Sequence, residues 1–116
     1  MRSDPLTMTL LLDEYGALLT EKQRECCDLY FNQDLSLAEI AEELGITRQG
    51  VHDSLTRAEA AMAEMEDALG NVARAKKFRN ATERIGSWAK LLQTSEDPEV
   101  RRIAGQIAAA AAELSA

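Results

Sequence analysis

Apolar positions recur at helical spacing along almost the whole chain, and no stretch alternates apolar with polar residues as a half-buried strand does. Leu10, Leu11, Tyr15 and Leu18 predict a first helix over about 7–18 with those side chains inward. Thr20-Glu21-Lys22-Gln23 has the spacing of a capping box, so a second helix starts there and runs to about Phe31. It buries some of Cys26, Cys27, Leu29, Tyr30 and Phe31, and Asn32-Gln33-Asp34 follows as a loop. Ser36 and Glu39 repeat the box. Leu37, Ile40, Ala41 and Leu44 then give one apolar face, and Gly45 supplies the left-handed backbone that stops the third helix. Thr47 caps a fourth helix, with Val51 and Leu55 turned inward. Two short helices joined by so tight a turn make the pattern of a helix-turn-helix, whose second helix normally enters a DNA major groove.

The fourth helix is long. Val51, Leu55, Ala58, Met62, Met65, Leu69 and Val72 are separated alternately by four and three residues, a heptad seam that signals packing of helix on helix. Its first part packs within its own domain. The stretch from Met62 through Met65 to Leu69 extends beyond that domain and needs another surface, so these three residues are the expected dimerisation contacts. Gly70-Asn71 is the stop. A fifth helix over about 72–93 carries Phe78, Ile85, Trp88 and Leu92 on one face. Ser95-Glu96-Asp97-Pro98 opens a last helix, about 98–114, that includes Val100, Ile103, Ala104, Ile107 and Leu114. The expected division is a helix-turn-helix domain over 1–70 and a helical tail over 71–116, packed on the fourth helix and used in dimerisation.

Composition agrees with an all-α chain: 116 residues with two prolines, six glycines and 4% aromatics. No apolar run approaches the roughly 20 residues that span a bilayer, and no basic stretch precedes an apolar one near Met1. Neither a membrane partner nor a signal peptide is expected. Adjacent helical cysteines point about 100° apart and do not bridge easily. Cys26 and Cys27 therefore read as reduced thiols of a cytoplasmic protein, one of them in the core. No His or further Cys stands at metal-ligand spacing, and no phosphate-binding loop is present, so no metal or cofactor is expected. His52 has only Asp53 and Gln49 as local neighbours, which make no triad, and no catalytic residue or enzyme activity is expected.

Charge changes the picture for a nucleic-acid binder. The net charge is −7, and residues 20–60 carry four basic against nine acidic side chains, whereas 61–116 carry eight of each. The expected base-facing residues are Arg48, Gln49, His52 and Arg57, with Asp53 beside them, because Arg and Gln suit bidentate contacts to guanine and adenine edges. Lys22 and Arg24 are the expected phosphate contacts. Glu39, Glu42, Glu43 and Asp53 would face the same polyanion, so a scaffold or protein-binding use of the helix-turn-helix stands beside DNA binding. A second candidate is the basic segment of the fifth helix. Arg74, Lys76, Lys77 and Arg79 with Trp88 suit phosphates and a stacked RNA base, or an acidic protein surface.

Leu19-Thr20-Glu21-Lys22-Gln23-Arg24 and the core Glu39-Ile40-Ala41 through Leu44-Gly45-Ile46-Thr47-Arg48-Gln49 to Val51 resemble region 4 of bacterial sigma factors. Arg48-Gln49-Gly50-Val51-His52-Asp53, Arg57-Ala58-Glu59 and the Leu69-Gly70 stop ahead of Lys77-Phe78 extend this to a closer resemblance, to the YlxM family of small bacterial helix-turn-helix proteins, over about Leu12 to Phe78. Gly50 stands where Ala is usual and His52 where an aromatic residue is usual. The alanine-rich end over 104–116 gains no support from the resemblance. The resemblance implies a sigma-region-4-like helix-turn-helix bundle with a long fourth helix. It also implies a link to the signal recognition particle pathway. Two functions remain open: a DNA-binding regulator acting on duplex DNA as a homodimer, and an adaptor that contacts the particle's RNA or GTPases.

Overall fold

Two segments of the chain each gather their own contacts, Met1–Val72 and Ala73–Ala116. A computed structural model describes residues 4–115; the outermost residues of both expected segments, 1–3 and 116, lie outside that range. Six α-helices follow in order: α1 (Pro5–Tyr15), α2 (Glu21–Cys27), α3 (Leu37–Leu44), α4 (Arg48–Leu69), α5 (Asn71–Leu92) and α6 (Pro98–Ser115). The described residues contain no strand, and the chain is all-α as its periodicity predicts.

α1 begins earlier than expected because Asp4 caps it. The Thr7 N–H donates to Asp4 Oδ1 at 2.9 Å, and Pro5 occupies the first turn, where its missing N–H is no loss. The helix closes at Tyr15, and Gly16–Leu18 continue as a tighter 3-10 turn. That turn advances each residue about 120° instead of 100°. It carries Leu18 out of the inward register, so Leu18 is exposed rather than buried. Leu10 is only half-buried, while Met8, absent from the expected core, is fully enclosed.

The capping box at Thr20 forms, but α2 stops at Cys27 and widens into a π-helical turn over Asp28–Asn32. The Gln33 N–H reaches back to the Asp28 carbonyl at 3.1 Å. The Asp28 carboxylate accepts from Asn32 Nδ2 at 2.8 Å and Gln33 Nε2 at 3.1 Å, which holds the wider turn closed. Both cysteines are buried, not one alone, and neither forms a disulfide. The 100° between neighbours fits inside the apolar stripe that a core-facing helix buries. Burial pushes the Cys26 thiol up, and a hydrogen bond with Ser54 opposes the shift.

One core serves the N-terminal unit. Met8, Leu11, Leu12 and Tyr15 of α1 and Cys26 and Cys27 of α2 meet Ile40 and Ala41 of α3 and Val51, Leu55, Ala58 and Met62 of α4. The heptad seam is therefore real, but its expected break at Met62 is not. α1 packs on α4, Met62 is fully enclosed by its own unit, and Met65 packs against the same cluster. Met62 is thereby corrected from a dimer contact to a core residue, while Met65 is half-buried against the same cluster. Leu69 alone of the three is exposed, at 49%.

The end of α4 is tied to α1. The buried Tyr15 hydroxyl donates to Glu66 Oε1 at 2.6 Å, the Val72 N–H donates to the same oxygen at 2.9 Å, and the Asn71 N–H donates to Tyr15 Oη at 3.3 Å. Burial and the Glu66 carboxylate together push the Tyr15 phenol up. These bonds supply the first amides of α5.

In the C-terminal unit α5 returns through residues 93–97 into α6. Asp97 Oδ1 accepts from the Glu99 N–H at 2.9 Å and Pro98 opens the helix, as the Ser95-to-Pro98 signal predicts. The fully covered residues are small: Thr82 and Ala89 on α5, Ala104 and Ala111 on α6. The Ser115 hydroxyl lies 3.4 Å from that of Thr82, so the two helices run antiparallel.

Candidate nucleic-acid interface

The helix-turn-helix is built by three local devices. Ser36 Oγ accepts from the Glu39 N–H at 3.1 Å while Glu39 Oε1 accepts from the Ser36 N–H at 2.9 Å. The Ser36 backbone N–H and, to a lesser degree, the Ser36 side chain hold the Glu39 carboxyl below the usual glutamate range. Gly45 then turns the chain with φ of 69°, a value that strains any residue bearing a Cβ. The Ile46 N–H donates back to the Ala41 carbonyl at 3.0 Å. Finally Thr47 Oγ1 accepts from the Gly50 N–H at 2.9 Å and starts α4. A methyl group at position 50 would lie 3.1 Å from that hydroxyl, so Gly50 leaves the cap room that alanine would narrow. Replacing Thr47 by alanine is expected to lower stability by about 1 kcal/mol, read from the midpoint of urea unfolding. No change in midpoint would mean that water serves the helix end equally well.

With Val51, Ser54, Leu55 and Ala58 inward, α4 turns Arg48, Gln49, His52, Asp53, Thr56 and Arg57 to solvent. Arg48, Gln49 and His52 line one shallow concavity with Thr47 and Leu37 at the start of α3 and α4. Gln49 Nε2 donates to Asp53 Oδ1 at 2.9 Å, and His52 Nδ1 stands 3.8 Å from the same oxygen. That bond uses one of the two Nε2 protons of Gln49; an adenine edge needs the other proton and the carbonyl oxygen, so Asp53 fixes the orientation in which the amide meets a base. Among the described residues Arg48 and Arg57 form no ion pair.

The structure does not bring all the expected residues together. Arg57 is nine positions beyond Arg48, which places it about 180° around the helix, on the far flank of the exposed face. Thr56 continues the Gln49–His52 stripe one turn on and was missed, although plain spacing of three and four points to it. Lys22 and Arg24 are both exposed, but residues two apart on a helix do not share a face. Arg24 lines a different groove, with Leu12, Asp13, Gly16, Glu25 and Asp28. Three carboxylates there oppose a phosphate, so Lys22 and Arg24, the expected phosphate contacts, stand in different surroundings.

On α5, Arg74, Lys76, Lys77 and Arg79 are all exposed but point around the helix rather than along one line. Trp88 is 59% exposed and borders a shallow groove with Asn80, Glu83, Arg84 and Ser87. Lys77 and Arg84 share that flank by helical spacing, whereas Lys76 and Arg79 lie elsewhere. No cluster of His, Cys, Asp and Glu suited to a metal ion occurs among the described residues, and none of their helices is long and apolar enough to cross a membrane.

Comparison with known proteins agrees with this geometry. The profile of the UPF0122 family, described as "Putative helix-turn-helix protein, YlxM / p13 like", matches residues 3–99. The chain belongs to the UPF0122 family. A UPF0122 protein of Thermoanaerobacter sp. strain X514 is 45% identical over 116 residues, 99% of each chain. One from Acetivibrio thermocellus is 57% identical over 63 residues, 54% of each chain. One from Halalkalibacterium halodurans is 39% identical over 97 residues, 84% of this chain and 89% of its own. The likeness is wider than the span Leu12 to Phe78 expected from the motifs. The family profile stops at residue 99, short of the alanine-rich end, while the Thermoanaerobacter UPF0122 protein aligns over that end as well.

Proposed function

We propose that the protein is a non-enzymatic regulator that reads duplex DNA by laying the first turns of α4 in the major groove. The observation that carries this reading is the grouping of Arg48, Gln49 and His52 around one concavity at the exposed start of the second helix of the motif. Recognition helices contact base edges from their N-terminal residues. In this reading Arg48 pairs with a guanine, Gln49, oriented by Asp53, with an adenine, and Arg57 rests against the phosphates.

The test is selection of duplexes from a random-sequence pool, followed by anisotropy titration of the winner at several salt concentrations. Arg48→Ala is expected to weaken the selected duplex by about 10–100-fold and to relax preference at one position. Arg57→Ala is expected to weaken all duplexes alike and to flatten the salt slope by about one. A pool that yields no enriched sequence would overturn the reading.

The acidity of residues 20–60 and the Gln49–Asp53 bond favour a second reading, an adaptor in the signal recognition particle pathway that works through RNA or protein contacts. Capture of the particle's RNA or GTPases from cytosol, with and without nuclease, distinguishes the two. In the adaptor reading changes at Lys76, Lys77 and Arg79 weaken capture while Arg48→Ala does not.

A further inference from the structure

The α5–α6 hairpin has an unusual division of side chains. Its covered positions are alanine and threonine, while its large apolar residues are open to solvent: Phe78 at 48%, Ile85 at 39%, Leu92 at 49%, Ile103 at 44%, Ile107 at 38% and Leu114 at 54%. These six are not scattered. Phe78, Ile85 and Leu92 recur every seven residues and lie about 50° to one side of the line through Thr82 and Ala89. Ile103, Ile107 and Leu114 lie about 70° to the corresponding side of the line through Ala104 and Ala111. In an antiparallel pair the same rotational sense on both helices leads to one common face. The opposite face bears this out: its groove is lined by Glu83, Gly86, Ser87 and Lys90 of α5 and by Ala108, Ala112 and Ser115 of α6, small or polar throughout.

We propose that a second copy of this chain covers that face, hairpin on hairpin, to complete a four-helix bundle. Heptad recurrence on both helices is the spacing that helix-on-helix packing demands, and a flat face of this kind is self-complementary under a two-fold axis. Charge points to the same occupant. The outer edge of α5 beside the apolar row carries Lys77 and Arg84; the matching edge of α6 carries Glu99 and Glu113, with Arg102 bound to Glu99. A two-fold axis along the bundle sets α5 of one protomer against α6 of its partner and brings basic edge to acidic edge. Thr82 lies level with Ser115, so Arg84 lies level with Glu113 and faces that residue across the interface. The dimer of this inference uses the hairpin, not Met62 or Met65, and it carries two helix-turn-helix units per particle.

Sedimentation equilibrium on the full chain tests it. The wild type is expected at twice the 12.8 kDa chain mass in the micromolar range. Ile107→Glu is expected to raise the dissociation constant at least about thirtyfold, the scale of one hot-spot residue, with unchanged helical circular dichroism. Arg84→Glu and Glu113→Arg should each weaken the dimer, and the double exchange should restore it. Leu69→Glu should leave it intact. A wild-type monomer would overturn the proposal. So would a dimer broken by Leu69→Glu but not by Ile107→Glu, or a monomer in which Ile107→Glu destabilises the N-terminal unit, since the face would then be covered by the chain itself.

Discussion

Replacing Leu55 by alanine is expected to lower the unfolding free energy of the N-terminal unit by about 3–5 kcal/mol, measured by urea denaturation followed by far-ultraviolet circular dichroism. Leu55 is fully enclosed in the cluster that α1, α2, α3 and α4 share. Removing its branched end forfeits transfer free energy and leaves a cavity. The neighbours have little freedom to fill it, because Val51, Ala58 and Met62 stand on the same helical row and are as fully covered as Leu55 itself. A small domain has only about 5–15 kcal/mol in all. The variant should therefore sit near its unfolding threshold at ambient temperature. A loss below about 1 kcal/mol would mean that the core closes over the gap, and that the seam is looser than its burial indicates.

The second large effect is a contrast between two residues of one seam. Met62→Glu is expected to unfold the N-terminal unit at neutral pH, whereas Leu69→Glu, about two turns further along, is expected to leave its midpoint nearly unchanged. An uncompensated carboxylate in an apolar interior costs several kcal/mol even after relaxation, and Met62 is fully buried in the apolar cluster. Position 69 already faces water at 49% exposure. Thermal melts at pH 7 and pH 4 check both halves. Protonation of the introduced acid should recover part of the folded signal of Met62→Glu, since the neutral form is the one that burial tolerates. If Met62→Glu melts like the wild type at pH 7, the place of Met62 in the core is wrong.

These residues also mark where sequence reading succeeds and where it stops. The helix-turn-helix was legible almost to the residue because its punctuation is chemical: Ser36 with Glu39, left-handed Gly45, and Thr47 each have one dominant local job. The seam on α4 was legible as a period. Its partner was not, because a period says that a face is buried without saying by what; α1 packs on α4, and nothing in residues 51–72 announces that. The π-helical turn at Asp28–Asn32 escaped for a related reason. Its cause is a pair of side-chain bonds to the Asp28 carboxylate, and apolar spacing through Leu29, Tyr30 and Phe31 simply reads as more α-helix. At the candidate interface, the individual cations were visible but their grouping was not. Arg24 sits among Asp13, Glu25 and Asp28 because of where α1 lies, a tertiary fact. Arg57 and Thr56 differ by one position and by about 100° of rotation, which the wheel alone decides.

The bonds around Tyr15 carry a consequence for the order in which the chain can take shape. Most helices open on a side chain just ahead of them, as five of the six described here do, at Asp4, Thr20, Ser36, Thr47 and Asp97. The helix from Asn71 follows a glycine, and its leading amides are met instead by a phenol 56 residues upstream and by a carboxylate from the preceding helix. A nascent chain emerging from the ribosome thus holds the instruction for where that helix begins long before the helix itself is made. The first half must be assembled for the second to know its starting point.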